Sequence, residues 1–137
     1  MIKPIMTQTF LLKRPSTAAD AGDLEIARDL ADTLEAHRAT CAGMAANMIG
    51  QLKRIIAVVD DDGSILVMLN PEIVRASGSY TTSEGCLSLP GVRETTRFQR
   101  IAVRYDDTSM RSCERTFKGF VAQAVQHEID HCNGVLI

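Results

Sequence analysis

His127, Glu128 and His131 stand in the pattern H-E-x-x-H close to the end of the chain. On a helix, residues four apart lie one above the other, so both imidazoles can meet one metal ion. Glu128 is turned about 100° from His127, which points it at a water held by that metal rather than at the metal itself. Metal binding lowers the water's pKa, and the carboxylate takes its proton as it attacks a carbonyl. Two of the chain's 3 histidines fall inside the motif, which argues against a chance match on a core helix.

A catalytic site of this kind needs three protein ligands and one open position. Only CNGVLI follows His131, with no His, Asp or Glu in it, so the third ligand must lie upstream. Cys86 is the best candidate. It sits in Glu84-Gly85-Cys86-Leu87-Ser88, where the neighbouring glycine removes side-chain bulk and allows an unusual backbone. The other three cysteines fit less well. Cys132 follows Glu128 by four residues and shares the glutamate's stripe, Cys113 lies among Arg111, Glu114 and Arg115 in a polar strand, and Cys41 opens a small-residue segment that could line a pocket. Taken singly, a cysteine is more often a small buried hydrophobe than a ligand.

These side chains need elements to carry them. Residues 22–37 place Leu24, Ala27, Leu30, Ala31 and Leu34 at helical spacing, with acidic residues near the start. Residues 53–59 (KRIIAVV) and 65–70 (ILVMLN) read as strands around the DDDG turn at 60–63, and Pro71 interrupts before a possible edge strand at 72–77. Residues 79–94 give mixed signals and are expected to form an extended loop. Residues 100–107 and 111–119 read as two more strands. From Phe120 to Asn133 the pattern turns helical, and Gly134 is placed to end that helix in a left-handed conformation. One helix, several strands and a second helix predict an α+β domain, residues 1–137, whose antiparallel sheet supports a buried helix.

Composition narrows the function classes. Hydrophobic residues make up 45% of the 137, aromatics 4%, Trp is absent, and the formal net charge is -2. A nucleic-acid binder would show a basic stripe, and no basic run exceeds two residues. No stretch approaches the roughly 20 apolar residues of a membrane span, and Lys13-Arg14 break the one apolar patch near the N-terminus. A cytoplasmic protein with free or metal-bound thiols is the expectation.

Three segments together resemble the peptide deformylase family, which carries G-x-G-Φ-A-A-x-Q, E-G-C-L-S and H-E-x-D-H in that order. Here they read Cys41 to Met48 (CAGMAANM), Glu84 to Ser88 and His127 to His131, the last two complete. The resemblance covers roughly residues 40–137. It implies antiparallel sheets packed around a central HExxH helix, and one divalent metal on Cys86, His127 and His131. That metal is typically Fe(II), replaceable by zinc, nickel or cobalt. Glu128 would be the general base and the Leu87 N–H would stabilise the oxyanion. Backbone around Ala42, Gly43 and Gly85 would pair with an extended peptide, with Arg93 near the groove. The substrate would be a formylmethionine N-terminus.

The chain departs from the family at named places. Met48 stands where the family has Gln, and a thioether has no donor to offer an oxyanion. Loss of one such donor typically costs about 10²–10³ in rate, so a Gln at 48 is expected to raise turnover. Cys41 replaces the first motif glycine, and the sequence stops at Ile137 without the helix that docks bacterial members on the ribosome, so ribosome engagement is not expected. Met44 and Met48 could line a pocket for a methionine side chain, one soft surface on another. Two alternatives stand beside the deformylase reading. One is a paralogue with altered substrate or weak activity, favoured by Met48 and Cys41. The other is a closed structural metal site with Cys113 or Cys132 as fourth ligand.

Overall fold

A computed structural model describes residues 1–137. After a short helix α1 (Thr9–Leu12), the chain is turned by a capping box. Asp20 accepts from the Gly22 N–H, and Asp23 reaches back to the Asp20 N–H. That single turn of 3-10 helix launches α2 (Leu24–His37), which buries Ala27, Leu30 and Leu34 on one stripe. His37 closes it with its Nδ1 on the Thr33 carbonyl, 2.8 Å away.

Five antiparallel strands follow in sheet order β1 (Gly43–Ala45), β2 (Ile55–Val59), β3 (Ile65–Cys86), β4 (Leu89–Asp106) and β5 (Ser112–Lys118). The period-2 alternation of β2 explains why the sheet is covered on both faces. Ile56 and Val58 join one core cluster, under the last helix. Ile55 and Ala57 join the other, under α2. No helix is long and apolar enough to cross a membrane.

The loop expected at 79–94 is instead a hairpin. β3 runs unbroken from Ile65, passes Pro71 through a register shift between Leu69 and Glu72, and turns back tightly at Leu87-Ser88 so that Cys86 pairs with Leu89. The pattern misled because both faces of this ribbon are polar, which removes the hydrophobic alternation that marks a strand. Its stability comes from cross-strand β-branched pairs instead, Thr81 with Thr96 and Thr82 with Thr95.

The last helix, α3, spans Gly119–Cys132. Gln126 docks it edge-on to the sheet, accepting from the Phe98 N–H at 2.8 Å and donating to the Phe98 carbonyl at 2.9 Å. Its end is a Schellman motif. Gly134, at φ +76°, donates to the His131 carbonyl, and Val135 donates to that of Asp130.

Met44 and Met48 are not where the pocket reading put them. Both are fully buried in the α2-side core with Leu30 and Leu34, and neither lines the cavity beside Cys86 and His127. β1 alternation turns Met44 away from α3, and the 3-10 turn Ala46–Ile49 packs Met48 inward. Met48→Gln therefore buries an amide among apolar side chains, and is expected to cost about 1–3 kcal/mol without raising turnover. A thermal melt checks the first half; an unchanged Tm would contradict it.

Candidate metal and active site

Two elements meet at the site. α3 presents His127, Glu128 and His131, and the end of β3 delivers Cys86 at the hairpin tip. Cys86 Sγ lies 3.4 Å from His131 Nε2, which lies 3.0 Å from His127 Nε2, and the three donor atoms fall within 4.8 Å of one another. Four-coordinate bonds of about 2.0–2.3 Å space their donors roughly 3.3–3.6 Å apart, so this set fits one divalent ion. The backbone N–H of Ser88 donates to the sulfur from 3.4 Å. Neither Cys132, sealed in the α3-side core, nor Cys113, beside Asp107 on β5, joins the group.

The outer face of His127 is held by Glu84. Nδ1 donates to Glu84 Oε1 at 2.8 Å, which leaves Nε2 for a metal. Arg97 grips the same carboxylate through Nε and NH2 and reaches Asp130 with NH1, while Gln123 Nε2 donates to Glu84 Oε2 at 2.9 Å. Burial alone would push the Glu84 carboxyl up, but the bonds from His127, Arg97 and Gln123 outweigh it and hold it at about 2.

Burial opposes a charged His127, yet Cys86 and Glu84 raise its pKa to about 10. Burial and the neighbouring cations His127 and Arg97 push His131 down to about 3, so it stays neutral and accepts. A metal must displace the His127 proton. Binding at neutral pH should release protons, and affinity should rise with pH. Calorimetry in buffers of different ionisation enthalpy reads this; no proton release at pH 7 would contradict it.

Glu128 is the odd member. Its side chain is buried, its Oε1 has no hydrogen-bond partner, and burial pushes its carboxyl up to about 7. It lines a cavity of about 370 Å³ together with Ala42, Gly43, Gly85, Cys86 and Leu87. Gly43 is required there by close approach, since a Cβ would lie 3.1 Å from Glu128 Cγ and from Val58 Cγ1, and 3.2 Å from the Ala57 carbonyl. Gly43→Ala is thus expected to displace the Glu128 carboxylate and lower kcat by about 10–100-fold with a small change in Tm. Unchanged kcat would mean the carboxylate has room to spare.

The expected groove residues divide. Ala42, Gly43, Gly85 and Leu87 all face the cavity, with Leu87 exposed at its mouth. Arg93 does not line it. It pairs with Glu84 across the hairpin, and its guanidinium lies 3.1 Å from the Pro90 carbonyl. Cys41 does line the cavity, but its thiol donates to the Gly43 carbonyl and burial raises its pKa to about 11, which keeps it neutral. Arg97 and Gln123 escaped the sequence reading. Arg97 lies in the unassigned stretch between the segment read as loop, 79–94, and the strand read at 100–107, and Gln123 carries a signal only in retrospect, one turn before His127.

The family model described as polypeptide deformylase matches residues 4–137. A peptide deformylase of Clostridium beijerinckii is 44% identical over 138 residues, the match covering all of both chains. One from Dictyoglomus thermophilum is 41% identical, covering 82% of this chain and 72% of its own. Among solved structures, a peptide deformylase from Legionella pneumophila aligns with a TM-score of 0.88 at 32% identity, over 99% of this chain and 83% of that one. The Met-Ala-Ser-bound class I type b peptide deformylase of Acinetobacter baumannii aligns with a TM-score of 0.88 at 29% identity, over 99% and 97%.

Proposed function

The chain belongs to the peptide deformylase family, and from that premise we propose that it hydrolyses the formyl group from formylmethionine at peptide N-termini, with Glu128 as general base. One observation carries the reading. The buried, unpartnered carboxylate of Glu128 opens on a peptide-sized cavity directly beside the Cys86, His127 and His131 donors.

A divalent ion on those donors, Fe(II) or in its place Zn(II), Ni(II) or Co(II), supplies Lewis acidity for attack on a formamide. Glu128 takes the proton of the attacking water and passes it to the departing amine. The Leu87 N–H donates to the oxygen that becomes negative. Backbone at Ala42, Gly43 and Gly85 pairs with the extended peptide as an added strand. The first side chain rests against Leu87, Phe120, Gln123 and Ala124, and the A. baumannii relative binds a peptide that begins with Met.

Anaerobic metal loading followed by a formyl-Met-Ala-Ser hydrolysis assay tests this. Release of formate well above the rate of the free metal in buffer supports it, and a rate equal to that of free metal overturns it. A second reading, a deformylase-like hydrolase with altered substrate, draws on Cys41 in the cavity wall, where the family carries glycine. It predicts hydrolysis of other formylated amines in place of formylmethionine peptides.

A further inference from the structure

Beside the metal donors, the cavity is walled by Phe120, Gln123 and Ala124 of α3 and by Ser83, Gly85 and Leu87 of the hairpin. Gln123 is half-buried, and its amide is not free to turn. Nε2 donates to Glu84 Oε2 at 2.9 Å, and the Tyr80 hydroxyl lies 3.5 Å from Oε1. An ionised carboxylate only accepts, so the nitrogen must face Glu84. An amide nitrogen carries two donors, and Glu84 engages one. The other N–H has no protein partner, and Gln123 lines the cavity.

We infer that Gln123 is a specificity-determining residue whose fixed amide donor selects peptides with a hydrogen-bond acceptor at the position of the methionine sulfur, so that formylmethionine sulfoxide peptides are substrates alongside formylmethionine ones. This rests on the deformylase reading above. A thioether is a weak acceptor and a sulfoxide oxygen a strong one, whereas norleucine has the same length and none. An apolar wall would reject the sulfoxide, because burying it without a partner is costly. The chemistry is unchanged: water adds to the formyl carbon, the C–N bond breaks, formate leaves and the amine takes the proton. The sulfoxide is neither reduced nor consumed.

The test compares kcat and KM for three formyl tripeptides that begin with methionine, methionine sulfoxide or norleucine, using metal-loaded wild type and Gln123→Leu with metal content measured. In the wild type, kcat/KM for the sulfoxide should exceed that for norleucine by about fivefold or more. The difference should lie in KM, since the group is remote from the breaking bond. Gln123→Leu should reverse the order. If that variant fails to fold or to hold metal, inhibition of the wild type by the three deformylated tripeptides reads the same preference. Norleucine preferred by the wild type, or a ratio unmoved by Gln123→Leu, overturns the inference. No hydrolysis of any of the three overturns the deformylase reading and this inference with it.

Discussion

Replacing Glu128 with Gln is expected to lower kcat for formamide hydrolysis by about 10²–10⁴-fold while metal content stays at the wild-type level. The side chain is isosteric and does not belong to the donor group, so the three ligands keep their places. What disappears is the ability to take a proton. Stability should not suffer, because the wild-type carboxyl sits in a buried environment that pushes it up to about 7, with one oxygen unpartnered. An amide removes that desolvation burden at neutral pH, so Tm should hold or rise. A variant that keeps its metal and loses turnover fits a base. One that keeps turnover within tenfold would show that the proton goes elsewhere.

The largest effect on folding is expected at Arg97. It is almost fully buried, grips Glu84 with two nitrogens and holds Asp130 with a third. Arg97→Leu takes the guanidinium from a buried carboxylate and leaves it only His127 and Gln123, and breaking a buried ion pair in this way typically costs about 3–5 kcal/mol. For a chain of this size that corresponds to a drop in Tm of roughly 10–20 °C. Lysine should recover only part of the loss, since a point charge cannot match two oxygens and reach Asp130 at once. The same network sets a pH dependence. Glu84 is held at about 2, below its unfolded value near 4.5, so its stabilisation is complete above about pH 4.5 and is lost as pH falls towards 2. Arg97→Leu should flatten that acid limb. A Tm within a few degrees of wild type would mean that Glu84 is satisfied without the guanidinium.

The chemistry was more legible in the chain than its supports were. H-E-x-x-H is a local pattern on a helix, so His127, Glu128 and His131 could be read directly, and the glycine beside Cys86 marked the loop that completes the set. Helices α2 and α3 and the apolar strand β2 announced themselves through periodicity. The polar ribbon from Ser79 to Glu94 did not, because strands that bury little on either face lose the alternation on which a strand reading depends. Arg97 and Gln123 were missed for a related reason. Their roles come from contacts 13 and 39 residues away, which no local pattern encodes. Met48 was misplaced because motif position was read as side-chain direction, whereas the 3-10 turn that carries it points it into the core.

Cobalt(II) titration of the metal-free protein, followed by absorption, tests the central arrangement most directly. One equivalent should bring up a sulfur-to-cobalt charge-transfer band and the intense visible bands of four-coordinate cobalt, and the charge-transfer band should be missing in Cys86→Ala. A wild-type spectrum without that band, or one that Cys86→Ala leaves unchanged, would contradict a site built from Cys86, His127 and His131.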